Sequence, residues 1–241
     1  MSTELKKGRK SGRTYIVAGS KAWNRRVFDE VISRYPGKWY FFDSPEQLTI
    51  KYVKQLNPRY LFFPHWSWKV PMEIVNGYEC VCFHMTDVPY GRGGSPLQNL
   101  IIRGHKQTKL TALKMVDEMD AGPIYLKEDF WIESGSAEEI YLRATYQVAA
   151  MIERIITEQI TPVPQKEKPV IFKRRRPEES EIPDLKDLMQ LYDFIRMLDA
   201  DGYPRAFIND QGFHYAFSRA VLYNGQIKCD VTISPTKEDT P

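Results

Sequence analysis

A strand, helix and strand pattern lies in residues 59–87, RYLFFPHWSWKVPMEIVNGYECVCFHMTD. Arg59 to Phe63 and Glu79 to Phe83 are short apolar runs, which predict strands, and residues 72 to 76 predict a helix between them. Strands that alternate with helices in this way pair in parallel, because a parallel neighbour needs a crossover connection. The segment therefore predicts a βαβ unit.

The same alternation covers the first two-thirds of the chain. Strands are also predicted at Tyr15 to Ala18 and Lys38 to Phe42, with helices near residues 24 to 34 and 45 to 56. The predicted fold class is therefore α/β: a Rossmann-like, mostly parallel sheet with helices on both faces, plus a small C-terminal α+β subdomain. Ligands of such sheets bind at the carboxyl ends of the strands, so residues that directly follow strands are candidates for a functional site.

Prolines predict the boundaries within the chain. Five prolines between Thr161 and Pro183 exclude a continuous helix there. We predict a disordered amino terminus at residues 1–12, a main domain at 13–162, a linker at 163–183 and the small subdomain at 184–241.

Composition and charge exclude several classes of protein. The 241 residues include 34 Lys and Arg against 31 Asp and Glu, a formal charge of +3 that is too balanced for a protein that coats nucleic acid. No apolar run approaches the ~20 residues of a membrane-spanning helix, and Tyr15 to Gly19 is too short for a signal-peptide core. Three cysteines cannot form a disulfide framework. We therefore expect a cytoplasmic protein with neither a membrane nor a nucleic-acid partner.

Cys80, Cys82 and His84 occupy alternate positions of one predicted strand, so they share a face. Same-face neighbours on a strand are roughly 6.6 Å apart, whereas ligands of a zinc ion at ~2.1 to 2.3 Å must converge more closely. This spacing disfavours a metal site, and the alternative for the cysteines is small buried sulfurs that face a helix. His84 ends the strand before an irregular glycine-rich loop, where an imidazole would face a cleft.

The loop Gly91-Arg92-Gly93-Gly94 precedes a predicted helix whose start, Ser95 to Gln98, matches a capping box. Its backbone N–H groups could cradle a phosphate, and the equally weighted alternative is a turn that needs positive φ angles. No Walker spacing and no G-x-G-x-x-G support ATP or nicotinamide binding. Ser136 to Glu139 predicts the capped start of a second, longer helix.

A segment with three acidic residues, 117–123 (DEMDAGP), follows the predicted strand Leu110 to Met115. Acidic loop residues are most often solvated, but the Ala-Gly-Pro that follows Asp120 locks its turn. The alternative to a solvated carboxylate is an Asp120 aimed at His84, where it would hold one imidazole tautomer and support the imidazolium.

Two further clusters have alternative interpretations. Lys173 to Arg176 is the densest basic run, and it fits a solvated linker or a nucleotide-phosphate contact better than a nucleic-acid site. Trp66 and Trp68 follow a predicted strand, where they could either line a flat heterocycle or plug the sheet.

Two segments around these residues carry a family resemblance. His84 is followed by Pro89, Arg92-Gly93 and Pro96 at the spacing of the H-x-S-L-L-P-x-x-R-G-x-x-P segment of the N10-formyltetrahydrofolate-dependent formyltransferases. Residues 111–124, TALKMVDEMDAGPI, resemble the second signature of this family, which ends in L-D-x-G. Residues 68–74 are similar to its folate loop. The resemblance covers about residues 14 to 207 and makes residues 13–162 the catalytic domain.

The resemblance extends beyond the predicted linker. Ile195-Arg196 and Tyr203 to Phe207 resemble an element shared by sugar N-formyltransferases and methionyl-tRNA formyltransferases. The 34 residues after Phe207 are too few for the five-stranded tRNA-binding barrel of the latter. The resemblance therefore implies a nucleotide-sugar N-formyltransferase. It would transfer a formyl group from its co-substrate, N10-formyltetrahydrofolate, to the amino group of a UDP- or dTDP-linked amino-dideoxy sugar for cell-surface glycan biosynthesis.

The resemblance also implies roles for individual residues. His84 and Asp120 match two of three catalytic residues, and Cys82 stands where the family has an asparagine whose amide helps to hold the formyl oxygen. A thiol is a poor donor, and a lost oxyanion donor costs roughly 2.7 to 4 kcal/mol. The implied cofactor-binding residues are Trp66, Ser67, Trp68, Val70, Met115, Val116 and Asp117; the implied substrate-binding residues are Thr86, Arg92, Gly93 and Gly94; no metal is implied.

Several alternatives stay open at this point. The missing asparagine favours a non-catalytic relative that binds folate or a nucleotide sugar. A formyltransferase that acts on another small amine fits the same motifs, and a homodimer is also kept open. An unrelated Rossmann-like nucleotide-binding enzyme would be favoured only if no folate bound.

Overall fold

The computed structural model describes residues 12–236, so all but the last residue of the predicted disordered segment 1–12 lies outside the described residues. Its strands are β1 (Thr14–Gly19), β2 (Lys38–Phe42), β3 (Tyr60–His65), β4 (Cys80–His84), β5 (Tyr90–Gly93), β6 (Gln107–Lys114), β7 (Ile124–Trp131), β8 (Val170–Phe172), β9 (Ala206–Asp210), β10 (Phe213–Tyr223) and β11 (Gln226–Pro235). Its α-helices are α1 (Ala22–Glu30), α2 (Ile50–Leu56), α3 (Met72–Gly77), α4 (Pro96–Ile102), α5 (Ala137–Glu158) and α6 (Leu188–Arg196).

A six-stranded sheet in the order β2-β1-β3-β4-β6-β7 organises the fold. β1 pairs in parallel with β2 and β3, and β3 pairs in parallel with β4. The C-terminal strands form an antiparallel sheet in the order β11-β10-β9, and β5 pairs with β8. The predicted Rossmann-like α/β class with a small C-terminal α+β subdomain is confirmed.

The described residues divide into two compact units that alternate along the chain. The first holds the residues up to Phe83, Ala112–Leu126 and Thr145–Pro164; the second holds His84–Thr111, Lys127–Ala144 and the residues from Gln165 onward. The predicted domains, by contrast, are each continuous in sequence, and their boundaries at 162/163 and 183/184 stay a prediction.

Within the first unit the parallel strands are buried on both faces. One face carries a core cluster that includes Ile16, Leu61 and Ile74, each with 0% exposure. The other face carries stacked aromatic rings, with the centroids of Tyr15 and Trp39 4.5 Å apart. Burial on both faces is typical of parallel strands, and it explains why these strands read as continuous apolar runs.

The proline-rich segment after α5 contains no α-helix before α6, as its prolines predict. It does contain β8, and a short 3₁₀ turn at Pro177–Ser180. Glu181 forms an isolated bridge with Phe207. None of the helices among residues 12–236 is long and apolar enough to cross a membrane.

The arginine of the Ile195-Arg196 pair is an internal anchor of the second unit. It is 3% exposed, and its Nε donates to Asp193 Oδ1 at 2.6 Å. Its Nη1 donates to the carbonyl oxygens of Ile132 at 2.9 Å and Gly135 at 3.2 Å. The guanidinium therefore ties the end of α6 to the segment between β7 and α5.

We predict that Arg196→Leu lowers the free energy of unfolding by about 3 kcal/mol, because it leaves buried carbonyl oxygens without their donor. Arg154→Leu is the matched control, since Arg154 forms an exposed i,i+4 pair with Glu158 that is worth about 0.3 to 0.5 kcal/mol. Urea denaturation measures both. Equal effects of the two substitutions would show that Arg196 is not an anchor.

Candidate active site

The imidazole of His84 is held at the end of β4, in the second unit. His84 is 8% exposed, and its Nε2 lies 2.8 Å from the carbonyl oxygen of Gly91. Because a carbonyl can only accept, Nε2 carries the proton of this bond. In the neutral ring Nδ1 then holds the lone pair, so Nδ1 is the atom of His84 that can accept a proton.

Thr86 supports the loop that follows His84. Its hydroxyl donates to the same Gly91 oxygen at 3.3 Å, and its own carbonyl accepts from Thr111 Oγ1 at 2.7 Å. Thr86 is fully buried, at 0% exposure. Its hydrogen bonds fold residues 86 to 91 back toward His84.

The glycines of the loop serve close packing. Gly91 has φ +78°, and a Cβ there would lie 2.7 Å from Thr86 Cγ2; Gly93 has φ +107°, and a Cβ there would lie 2.5 Å from the Phe172 oxygen. These contacts support the interpretation as a positive-φ turn, with β8 as the packing partner. The guanidinium of Arg92 is 8% exposed and donates from Nε and Nη2 to Gln165 Oε1 at 3.0 and 2.8 Å.

The helix start after this loop differs from the predicted capping box. Ser95 has a left-handed φ of +50° and makes no side-chain cap. Its hydroxyl accepts instead from the backbone N–H of Arg175 at 3.0 Å. The Gln98 side chain donates to Tyr141 and to the Met197 carbonyl. The basic run 173–176 is therefore tied to the Gly94 and Ser95 turn of the second unit.

The charge of Asp120 acts on the thiol of Cys82 in the first unit. Cys82 is partly buried, and this burial, together with the negative charge of Asp120, raises the pKa of its thiol above the usual range. Cys80 beside it donates to the Ile74 carbonyl at 3.7 Å, and burial raises its pKa to about 12. Both thiols therefore stay protonated at neutral pH. No three His, Cys, Asp or Glu side chains among residues 12–236 are grouped to hold a metal ion.

Asp120 lies in the loop between β6 and β7, with φ +54°. The base of this loop is closed by a hydrogen bond from the Lys114 N–H to the Pro123 carbonyl at 2.9 Å. At Gly122, a Cβ would lie 1.7 Å from the Lys114 oxygen. The Ala-Gly-Pro turn therefore constrains Asp120 as the sequence predicts. His84 belongs to the other unit, and the pairing of the two side chains stays a prediction.

The residues after β3 form an aromatic corner of the first unit. The rings of Trp66 and Trp68 meet edge to face, with centroids 4.9 Å apart, and Trp68 is 44% exposed. Trp66 Nε1 is buried and has no hydrogen-bond partner among the described residues. Ser67 Oγ lies 2.7 Å from Ser20 Oγ, which follows β1. An orphaned donor beside an exposed ring fits a flat, acceptor-bearing heterocycle.

The remaining predicted cofactor-binding residues differ in exposure. Val70 is buried in the core of the first unit, and Met115 packs against that core. Val116 is 39% exposed, and Asp117 is exposed beside it. Two polar groups that no motif identified are Ser20, which follows β1, and His65, which is the last residue of β3; their position at strand ends is the signal that points to them.

Comparisons with known proteins agree on one family. The profile described as "Methionyl-tRNA formyltransferase, C-terminal domain" matches residues 177–234. The methionyl-tRNA formyltransferase of Rickettsia massiliae (strain Mtu5) is 28% identical over 122 residues, which are 48% of this chain and 40% of that protein. The chain therefore spans less than half the length of that curated relative.

Two solved structures extend the comparison to nearly the whole chain. A methionyl-tRNA formyltransferase structure from Clostridium thermocellum is 44% identical in sequence to this chain. The alignment covers 93% of this chain and 100% of the Clostridium chain, with a TM-score of 0.87. A 4-N formyltransferase structure from Francisella tularensis is 15% identical; the alignment covers 90% of this chain and 96% of the Francisella chain, with a TM-score of 0.63. The second likeness is one of fold.

The partly buried His65 predicts a dependence of stability on pH. Burial, and then the charge of Lys21, lower the pKa of His65 to about 4 from its ordinary 6.5. The unfolded chain therefore binds a proton near pH 6.5 that the folded chain takes up only near pH 4. Stability from this group is complete above pH 6.5 and is lost as the pH falls toward 4.

We expect His65→Gln to reduce the fall in Tm between pH 7.5 and pH 5, because the substituted side chain takes up no proton. Differential scanning fluorimetry at a series of pH values measures this slope for both proteins. An unchanged slope in the variant would contradict the assignment to His65.

Proposed function

We propose that this chain, which belongs to the formyltransferase family, transfers a formyl group from N10-formyltetrahydrofolate to a primary amine. Its membership in the family is shown by the 44% identity to the Clostridium thermocellum structure, the whole length of which this chain covers. The observation that carries the proposal is His84, whose proton is fixed on Nε2 by Gly91 and whose Nδ1 is left as the basic atom.

His84 can serve the transfer in two ways. As a neutral imidazole, its Nδ1 accepts the proton that the amine loses on attack, and the resulting imidazolium can return this proton to N10 of the folate as the bond between N10 and the formyl carbon breaks. As an imidazolium, it donates a hydrogen bond to the oxygen on which negative charge develops. At the end of β4, the hydrogen bond to Gly91 holds the His84 ring in place, which lowers the entropy cost of either role.

Asp120 is assigned the role that the resemblance implies, which is to assist the movement of the proton. Its backbone is held in a left-handed conformation by the closed base of its loop. A carboxylate so constrained costs little to orient. The folate co-substrate supplies the formyl group when bound, and the aromatic corner at Trp66 to Trp68 fits its heterocycle through the orphaned Trp66 N–H.

The acceptor has two candidates. Methionyl-tRNA is favoured by the names of the Clostridium thermocellum and Rickettsia massiliae relatives and by the C-terminal match at residues 177–234. A UDP- or dTDP-linked aminosugar is favoured by the charge of +3 and by the compactness of the densest basic run, Lys173 to Arg176. Both carry a primary amine near phosphate groups, and with a sugar acceptor the product serves glycan biosynthesis.

The test incubates the full chain with N10-formyltetrahydrofolate and, separately, methionyl-tRNA or a panel of UDP- and dTDP-linked amino-dideoxy sugars. Mass spectrometry detects the gain of one formyl group. We expect turnover of one acceptor class, and a loss of about 10²-fold or more in His84→Ala and Asp120→Ala, because both groups act mainly in the transition state.

His214→Ala is the matched control for His84, since His214 bonds to Asn209 in the C-terminal sheet. It should keep the wild-type rate. Formylation of methionyl-tRNA alone would exclude the aminosugar as acceptor, and the reverse result would exclude the tRNA. Absence of transfer to every acceptor would favour a protein that binds folate without turnover.

Cys82→Asn tests how the chain compensates for the missing asparagine. The protonated Cys82 thiol is a weak donor, so an amide at this position should raise kcat by up to the ~10²- to 10³-fold that one oxyanion donor contributes. Single-turnover kinetics measures the change. An unchanged or lower rate would mean that a backbone N–H already supplies the contact.

A further inference from the structure

Glu79 joins two strands at a point that no sequence motif marks. It directly precedes β4, and its Oε2 accepts from Lys114 Nζ, at the end of β6, at 3.0 Å. Its Oε1 accepts from the hydroxyl of Tyr125, the second residue of β7. The Glu79 side chain is 21% exposed and Tyr125 is 6% exposed, so the bond between these two residues is shielded from solvent, whereas the Lys114 side chain is 37% exposed. All three residues belong to the first unit.

The two donors of Glu79 flank the segment that carries Asp120. We call residues 115–123 the acid loop; Lys114 comes directly before it, and Tyr125 comes two residues after its end. Its backbone is fixed at the same place, because Lys114 N–H donates to Pro123 and Met115 N–H donates to the Cys80 carbonyl at 2.8 Å. One carboxylate therefore holds both ends of the acid loop against the start of β4.

The protonation states of this cluster suit its geometry. Burial opposes ionisation of Glu79, but the hydrogen bonds from Tyr125 and Lys114 outweigh it and lower its pKa below the ordinary value. Burial, and then the hydrogen bond to Glu79, raise the pKa of Tyr125. At neutral pH the carboxylate is thus ionised and accepts two bonds, while the phenol keeps the proton that it donates.

We propose that Glu79 is a positioning residue of the formyl transfer: it clamps the two ends of the acid loop through Lys114 and Tyr125 and thereby fixes the orientation of Asp120. The inference rests on the proposed function, because Asp120 has its role only there. Glu79 acts through the loop and touches no reacting atom. A displacement of a reacting group by about 1 Å can cost about 10²-fold in rate, so a clamp remote from the chemistry can limit turnover.

The experiment compares Glu79→Ala, Glu79→Gln and Tyr125→Phe with the wild-type chain. The amide oxygen of Gln can still accept from Tyr125, so the expected order of kcat is wild type, then Gln, then Ala. We expect Glu79→Ala and Tyr125→Phe to lower kcat by about 10- to 100-fold with the acceptor that the wild-type chain formylates, while the acceptor KM changes by less than about threefold.

Asp129→Asn is the matched control. Asp129 pairs with Lys109 at 2.6 Å across the same two strands, β6 and β7, but away from the acid loop. It should leave kcat unchanged. Hydrogen exchange measured by mass spectrometry provides a readout that does not depend on activity: peptides from residues 115–123 should exchange faster in Glu79→Ala, and other peptides of the first unit should not.

Each outcome decides the proposal. Wild-type kcat and wild-type exchange in Glu79→Ala would overturn it, and so would faster exchange spread evenly over the first unit, which would indicate a role in stability alone. If the wild-type chain formylates neither acceptor, the proposed function fails. Exchange confined to the acid loop would then still establish the clamp, and unchanged exchange would remove it.

Discussion

A parallel sheet that is buried on both faces leaves its strand ends as the places where polar side chains can gather. In the first unit, the core cluster around Ile16 and Leu61 covers one face and stacked rings such as Tyr15 and Trp39 cover the other. A polar group placed along these strands would lose its hydration without a partner. The chemistry is therefore concentrated where strands stop, and the corner at Trp66 is one such end.

Sequence patterns predicted the parts of the fold that depend on neighbouring residues. The capping box at Ser136 is present, because its hydroxyl and the Glu139 carboxylate exchange hydrogen bonds with backbone N–H groups three residues apart. The capping box predicted at Ser95 was wrong. The Ser95 hydroxyl accepts a hydrogen bond from the backbone N–H of Arg175, and the Gln98 amide donates to the Met197 carbonyl; these partners lie 80 and 99 residues away in sequence. Tertiary contacts overrode a local preference that was otherwise sound.

Some features of the candidate site could likewise be predicted from local sequence, and others depend on distant residues. The position of His84 at a strand end and the locked turn at Asp120 could be predicted from strand periodicity and turn chemistry. The bond that fixes the His84 tautomer could not, because a backbone carbonyl has no sequence signature. Glu79 was missed for a related reason: its donors, Lys114 and Tyr125, lie 35 and 46 residues away, and each of the three residue types is common on surfaces.

The cysteine at position 82 raises a chemical problem that its surroundings solve. A thiolate beside a reactive formyl group would compete with the amine as a nucleophile, since the thiolate and not the thiol attacks carbonyl carbons. Burial and the negative charge of Asp120 both raise the pKa of Cys82, so the thiol stays protonated. The carboxylate that we assign to proton movement thus adds to the effect of burial in keeping the Cys82 thiol unreactive. Under the proposed function, a protonated cysteine can therefore stand where the family has an amide without diverting the formyl group, although it donates a weaker hydrogen bond.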